Sequence, residues 1–278
     1  MPVLVLVTSA FVHALWNALL KREREPQVAV AGVLSFALVI AAVTALVSAR
    51  PGFETSAALG WGVAAGVFEG VYFVTLAAAL ARADYGIVYT VARGGAMLLV
   101  WPLSALLLRE PVTAPGALGA CLVGVGLALT TAHPVVRSVS RSGLAYAAAC
   151  AGSVAGYHLC YDRALHAGAH PTALFAVALA VALPMVLASL RGRVTLHEVR
   201  FSARAALRWV FAGLLCSASF LLFLTGLAAA GAGVALTLRN TSIVFAQGLS
   251  LALGERPTRL QVTGAVLVAA GAALFGVK

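Results

Sequence analysis

Two arginines lie well inside apolar stretches of the chain. Arg93 and Arg239 are each eight residues into such a stretch. A charged side chain within a membrane span costs a few kcal/mol, roughly 3 or more, so it normally faces a cavity or a partner. A guanidinium offers a planar fork of donors that suits a carboxylate, phosphate or phosphonate. Both arginines are therefore candidate ligands of an anionic substrate. The alternative is structural: pairing with a nearby glutamate or helix carbonyls, or snorkelling to an interface.

An acidic residue accompanies these cations. Glu69 lies midway along another apolar stretch, and Tyr72 follows three positions later on the same helical face. We expect Glu69 to neutralise Arg93, to carry a coupling proton, or to form a plain structural ion pair. Tyr89 precedes Arg93 by one turn and Ser242 follows Arg239 by three residues. Either side chain is expected to complete a pocket or to have no functional role.

The first apolar stretch carries a third polar group. His13, Trp16 and Asn17 are spaced i, i+3 and i+4, which places them on one helical face. The histidine and tryptophan are candidates for substrate binding, whereas the asparagine equally suits a hydrogen bond to a neighbouring helix. His158 belongs to a comparable polar face further along the chain, together with Tyr157, Tyr161 and Asp162.

No pattern in the sequence indicates catalysis. The HExxH, GxSxG and P-loop motifs are absent, and no acidic cluster or Cys-His pair has a credible spacing. The four cysteines lie inside apolar runs without metal-binding spacing, so they are predicted to be packing residues. We therefore expect no catalytic residue, metal or cofactor.

The elements that position these residues must lie in lipid. The 278 residues are 62% apolar and 10% charged, with a mean hydropathy of +1.00, and a soluble fold cannot bury so much apolar surface. A bilayer needs about 20 apolar residues in each helical span. The sequence predicts an all-α integral membrane protein with ten such spans, at about 2–20, 28–49, 57–81, 86–108, 115–132, 143–165, 171–190, 209–229, 232–253 and 259–277.

The net charge of +10 is concentrated in the short gaps between apolar runs. This distribution favours an anionic membrane surface over nucleic acid as the partner of the basic residues. Thirteen Lys and Arg residues lie on the side opposite the termini and four on the termini's side. The charge bias thus predicts a multi-pass protein of the cell (inner or plasma) membrane with both termini outside. The N-terminal stretch lacks a basic region and a cleavage site, so it is predicted to be a span.

The chain also repeats itself. Glu110, Thr113, Gly119 and Gly126 recur 145 positions later, as Glu255, Thr258, Gly264 and Gly271. The sequence therefore predicts a first five-helix repeat at 1–132, a linker at 133–142 and a second repeat at 143–278. An odd number of spans in each half places the second half upside down, as in many secondary transporters.

The sequence resembles the ten-span EamA-type members of the drug/metabolite transporter superfamily. The resemblance rests on His13-Ala14-Leu15-Trp16-Asn17, Tyr89 to Gly94, Arg239 to Ser242, and the two repeated glutamates. It implies a central aqueous cavity and export or exchange of a small polar metabolite or amino-acid-like solute, which the two arginines suggest is anionic. It further implies that the fifth and tenth spans support packing or contacts in a homodimer. The alternative to a transporter is a lipid-modifying enzyme or an assembly scaffold.

Overall fold

The computed structural model describes residues 2–48, 50–108, 113–131, 140–191, 203–230 and 232–274. These residues form an all-helical fold, with one isolated β-bridge between two loops. The helices are α1 (Pro2–Lys21), α2 (Pro26–Val47), α3 (Ser56–Leu80), α4 (Tyr85–Leu108), α5 (Ala114–Thr131), α6 (Arg141–His166), α7 (Pro171–Ser189), α8 (Ala203–Ala230), α9 (Ala232–Arg239), α10 (Ser242–Ala252) and α11 (Arg259–Leu274). Glu110, most of the predicted linker and residues 192–202 lie outside the described residues.

Several of these helices can cross a membrane. Six of those described, α1, α2, α3, α5, α7 and α8, are long and apolar enough to do so. Shorter apolar helical stretches occur at Tyr85–Val100, Ser242–Ala252 and Arg259–Leu274. The prediction of a multi-pass helical membrane protein is therefore confirmed.

Local sequence accounts for where several helices begin. Proline occupies the first position of α2 and of α7, where its missing N–H is not needed. The hydroxyl of Thr55 caps α3 by accepting a hydrogen bond from the Ala58 N–H at 3.1 Å. Ser140 caps α6 in the same way. Such caps satisfy backbone donors that have no partner inside the helix.

One predicted element differs from the structure. The run 232–253 was expected to be a single helix, but it is divided into α9 and α10 at Asn240 and Thr241. Thr241 N–H and Ile243 N–H donate to carbonyls three residues earlier, which tightens the backbone at this point. The Asn240 and Thr241 side chains bond to the carbonyls of Leu236 and Leu238. The division lies directly beside Arg239.

Loop contacts tie the helices together at both ends of the fold. At one end the α2–α3 loop pairs with the α6–α7 loop through a bridge between Phe53 and Ala169. At the other end Lys21 Nζ donates to the carbonyls of Leu80 and Ala83, at the end of α3. Also at that end, Glu255 accepts hydrogen bonds from the first two N–H groups of α4.

Most of the described helix packing joins helices of the first half of the chain to helices of the second half. Helix α3 contacts α6 and α7, and α8 contacts α1 and α2. Helices α5 and α11 pack against each other through four glycines, each opposite a backbone carbonyl of the other helix: Gly119, Gly126, Gly264 and Gly271. A Cβ atom at Gly126 would lie 2.5 Å from the Gly264 carbonyl oxygen, so only glycine permits this approach. On α3, Gly62, Gly66 and Gly70 form a row that lies against α7.

Candidate functional site

His13 lies at the centre of a buried polar cluster in the middle of the helices. Its side chain is 0% exposed. Arg239 approaches the Nδ1 atom, with a nitrogen–nitrogen distance of 3.0 Å. Arg93 approaches the other ring nitrogen, Nε2, at close range. The structure thus brings together three residues that the sequence identified on three separate helices.

Arg239 is held by several partners. One terminal nitrogen donates to the Ser9 hydroxyl at 2.5 Å and to the Ser219 carbonyl at 2.9 Å. The guanidinium carbon lies 4.3 Å from the centre of the Phe223 ring and 5.1 Å from that of Phe220. Cation–π contacts of this kind stabilise a desolvated guanidinium. Arg239 is therefore fixed in place by α1 and α8.

Arg93 is held less completely. Its guanidinium carbon lies 5.9 Å from the Tyr89 ring centre, and its NH2 group faces His13. The other terminal nitrogen, NH1, is buried and has no hydrogen-bond partner among the described residues. Only 2% of the residue is exposed. A buried charged donor without a partner is costly, so this nitrogen is available to an acceptor.

Glu69 does not neutralise either arginine directly. Among the described residues, salt bridges join His166 to Asp162 and Arg208 to Glu23, and none involves Glu69. Glu69 Oε1 instead accepts a hydrogen bond from the Tyr161 hydroxyl at 2.5 Å. The ion pair with Arg93 that the sequence suggested is thus not formed, since the glutamate faces α6.

Three aromatic residues predicted from sequence also belong to the cluster. Trp16 Nε1 donates to His13 Nδ1 at 3.2 Å. The Tyr72 hydroxyl lies 3.5 Å from His13 Nε2. The Tyr89 hydroxyl is buried without a partner in the described part of the chain. These side chains surround the two guanidiniums with polarisable rings and hydroxyl groups.

The remaining predicted residues are placed differently. Asn17 donates to the His13 backbone carbonyl at 2.7 Å, a bond within its own helix, which favours the structural interpretation. His158 packs on the ring of Phe223, with its Nε2 atom unpartnered among the described residues. The Ser242 hydroxyl is buried at the start of α10, and no described hydrogen bond joins it to His13.

Sequence reasoning missed several residues of this site. Ser9 and Ser219 bind Arg239, and Phe220 and Phe223 form the wall behind it. Ser219, Phe220 and Phe223 share one face of α8 at spacings of one and four residues, but in an apolar helix that pattern equally describes core packing. No local signal distinguishes the two.

The electrostatics outside the spans centre on Glu255. Burial raises the pKa of this carboxyl, and the hydrogen bonds from the Tyr85 and Gly86 N–H groups oppose the shift. Because both carboxylate oxygens accept from the N-terminus of α4, Glu255 acts as a cap supplied by another helix. For metals, the described residues contain no group of three or more His, Cys, Asp or Glu suited to hold an ion.

Comparison with known proteins identifies a family domain in the second half of the chain. The model of the EamA-like transporter family matches residues 141–277. No curated protein matches the sequence. One solved crystal structure of a protein superposes with a TM-score of 0.68 and 18% identity, covering 99% of this chain and 98% of that chain. At this identity the likeness shows a shared fold. Residues 141–277 therefore form an EamA-like transporter domain of the drug/metabolite transporter superfamily.

Proposed function

We propose that this protein is a secondary transporter of a small organic anion, working by alternating access around the His13 cluster. The observation that carries the proposal is the pair of buried guanidiniums, Arg93 and Arg239, neither of which has a carboxylate partner among the described residues. Burying an uncompensated charge costs several kcal/mol, on the order of 3–5. An anionic substrate offsets that cost when it binds beside Arg93, whose NH1 nitrogen has no partner among the described residues.

The proposal includes ten membrane crossings arranged as two inverted five-helix repeats. Under this arrangement α9 and α10 together form the ninth crossing. The contact of α3 with α6 then corresponds to that of α8 with α1, and the contact of α3 with α7 to that of α8 with α2. The glycine contacts of α5 with α11 are related in the same way. Matched contacts of this kind support a pseudo-two-fold axis lying in the membrane plane.

Transport into sealed proteoliposomes tests the function. Purified protein is reconstituted, and the uptake of a panel of labelled anions, zwitterions and neutral metabolites is compared with that of protein-free vesicles. We expect uptake of at least one organic anion, and its loss in the Arg93→Gln variant. Arg82→Gln is the matched control, because Arg82 lies at the end of α3 and bonds to its own helix at Ala78.

The assay also separates the alternatives. A lipid-modifying enzyme would change the mass of a vesicle lipid, and a scaffold would neither move solute nor alter lipid. Uptake restricted to neutral solutes, or unaffected by Arg93→Gln, would contradict the anion proposal. Export or exchange is distinguished by preloading the vesicles with unlabelled solute.

The proposed location is the cell membrane, with both termini outside, as the distribution of Lys and Arg indicates. Many ten-span relatives are expected to keep their termini inside, so the orientation is tested separately from the function. A reporter that is active only in the cytoplasm, fused after Lys278, should be inactive. An active reporter, together with external labelling of a cysteine placed in the loop that precedes α8, would reverse the orientation. A homodimer is included in the proposal, to be tested by the mass of the detergent-solubilised protein.

A further inference from the structure

Glu69 is a buried carboxyl with an incomplete set of hydrogen bonds. The residue is 0% exposed. Oε1 accepts from the Tyr161 hydroxyl at 2.5 Å, whereas Oε2 is buried and has no hydrogen-bond partner among the described residues. The salt bridges of the described residues do not include Glu69. An ionised carboxylate accepts at about four sites on its two oxygens, so most of these sites would be unsatisfied here.

Glu255 shows what the same chain provides for an ionised carboxyl. Its two oxygens accept hydrogen bonds from the N–H groups of Tyr85 and Gly86, and it lies in a loop between α10 and α11. Glu69 has one such bond and lies midway along α3. Burying an ionised carboxylate without partners is far more costly than burying the neutral acid. In the neutral acid, Oε2 carries the proton and Oε1 still accepts from Tyr161.

The charged groups around Glu69 do not form an ion pair with it in the described part of the chain. The groups that interact with Glu69 are Tyr157 and Tyr161 of α6, Cys216 of α8 and Arg239 of α9. Helices α2 and α7 also pack on α3 and contain no titratable side chain. The remaining titratable side chains of α3 and α4 are directed to α1, namely Tyr72, Tyr85, Tyr89 and Arg93. Arg239 has its hydrogen bonds on α1 and α8, so it interacts with Glu69 only through space.

We infer that Glu69 carries a proton in this conformation and that the proton is transported together with the anionic substrate. Coupling of this kind rests on the proposed function. With Glu69 neutral, Arg93 and Arg239 carry two positive charges that have no carboxylate partner among the described residues, which favours an anion beside Arg93. Loss of the proton adds a negative charge within electrostatic range of Arg239 and lowers the affinity for the anion. By linkage, a bound anion raises the affinity of Glu69 for its proton to the same extent.

The charges balance for a monovalent anion. Glu69 Oε2 takes up one proton on the side from which the anion enters, and the carboxylate becomes the neutral acid. Proton and anion then leave on the other side, and the carboxylate forms again. The two ligands move in the same direction because each favours binding of the other. One cycle transports no net charge, so the pH gradient drives it and the membrane potential does not.

Infrared spectroscopy measures the proton directly. The full chain, at neutral pH in a detergent without ester groups, should show the carbonyl stretching band of a protonated carboxyl. The band should be absent from Glu69→Gln and unchanged in Glu54→Gln, the matched control in the exposed α2–α3 loop. Tyr161→Phe retains the carboxyl and should move the band to higher frequency, because Oε1 loses its hydrogen bond.

Proteoliposomes measure the coupling. With a lower pH outside, the wild type and Glu54→Gln should accumulate a transported anion above its external concentration, after correction for protein-free vesicles. Glu69→Gln resembles the neutral acid permanently, so it should only equilibrate the anion. In detergent, a rise in pH that removes the infrared band should weaken anion binding to the wild type by about fivefold or more. Binding to Glu69→Gln should not change with pH.

The outcomes separate the coupling from the proposed function. A spectrum in which Glu69→Gln removes no band would overturn the inference even in a protein that transports anions. Anion uptake that ignores the pH gradient would also overturn it and leave the proposed function intact. If Glu69→Gln does not fold, an unshifted band in Tyr161→Phe would be equally decisive against the proton. Failure to transport any anion would refute the proposed function and the coupling, whereas the infrared band would still test the proton on Glu69.

Discussion

Replacing Arg239 with glutamine should lower the stability of the protein without ligand. Replacing Arg93 with glutamine should instead weaken anion binding without lowering that stability. Arg239 makes three hydrogen bonds, to Ser9, to the Ser219 carbonyl and to His13. Arg93 makes one close contact, with His13 Nε2. We therefore expect Arg239→Gln to destabilise the protein without ligand and Arg93→Gln to leave its stability unchanged or raise it.

The magnitude follows from the geometry. Each guanidinium contacts one nitrogen of the same imidazole, so the two charges are roughly 7 Å apart, and at an effective dielectric constant of about 20 they repel by about 2 kcal/mol. Either substitution removes this repulsion, so the repulsion does not contribute to the difference in unfolding free energy between the two variants. The difference is then the hydrogen bonding of Arg239. Three bonds amount to about 2–5 kcal/mol, with membrane values at the lower end.

Thermal unfolding of the purified variants in Tris chloride, without oxyanions, measures this difference. At about 2–4 °C per kcal/mol, the apparent melting temperature of Arg93→Gln should exceed that of Arg239→Gln by on the order of 5–15 °C. An anion at a hundred times its Kd should stabilise the wild type by about 2.7 kcal/mol and Arg93→Gln by far less. A melting temperature of Arg93→Gln below that of Arg239→Gln would refute the reasoning, as would a full response of Arg93→Gln to the anion.

Three further substitutions test contacts between helices and loops outside the site, each by the apparent melting temperature. Gly264→Ala should cost about 1–3 kcal/mol because its Cβ would lie 2.5 Å from a backbone oxygen of α5, whereas Gly124→Ala, which faces open space, should not. Gly168→Ala should cost more than Gly254→Ala, since both have positive φ but only the former meets a facing side chain. Glu255→Ala should cost about 1 kcal/mol through loss of the α4 cap. Because burial raises the pKa of the Glu255 carboxyl, its pH-dependent contribution to stability is fully present below the ordinary pKa of 4.5. That contribution declines as the pH rises through the raised pKa. The Glu255→Ala variant should lack this decline.

The helices were largely predictable because the signals that define them are local. An apolar run of about 20 residues and a flanking proline or cap are sufficient to place a membrane helix, and the structural boundaries of α2 and α7 follow Pro26 and Pro171. The division between α9 and α10 was not predicted, since neither proline nor glycine marks it. A weaker signal was present in Asn240, Thr241 and Ser242, because such side chains compete for helix carbonyls.

The partners of the polar residues were less predictable, because they come from other helices. Helical spacing correctly placed His13 and Trp16 on one face of α1, but nothing local indicated that this face would meet both arginines. The expected pairing of Glu69 with Arg93 followed from opposite charge alone. In the structure Glu69 lies against α6, where Tyr161 provides a hydroxyl, so the orientation of α3 decides its partner.

The unneutralised charge is the strongest reason to place substrate binding at this cluster. If Arg93 served the fold alone, a carboxylate within salt-bridge distance would remove most of its cost, and Glu69 is a buried carboxyl on the adjacent helix. The chain instead directs Glu69 to a tyrosine and leaves Arg93 NH1 without a described partner. Binding is linked to stability, since an anion that binds only the folded protein stabilises it by an amount that grows with the ratio of its concentration to its Kd. The occupied site should therefore be the more stable one. If an anion raises the melting temperature of the wild type but not that of Arg93→Gln, then Arg93 contributes to binding the anion. The residue that the described fold leaves without a full set of partners would then be the residue that the substrate satisfies.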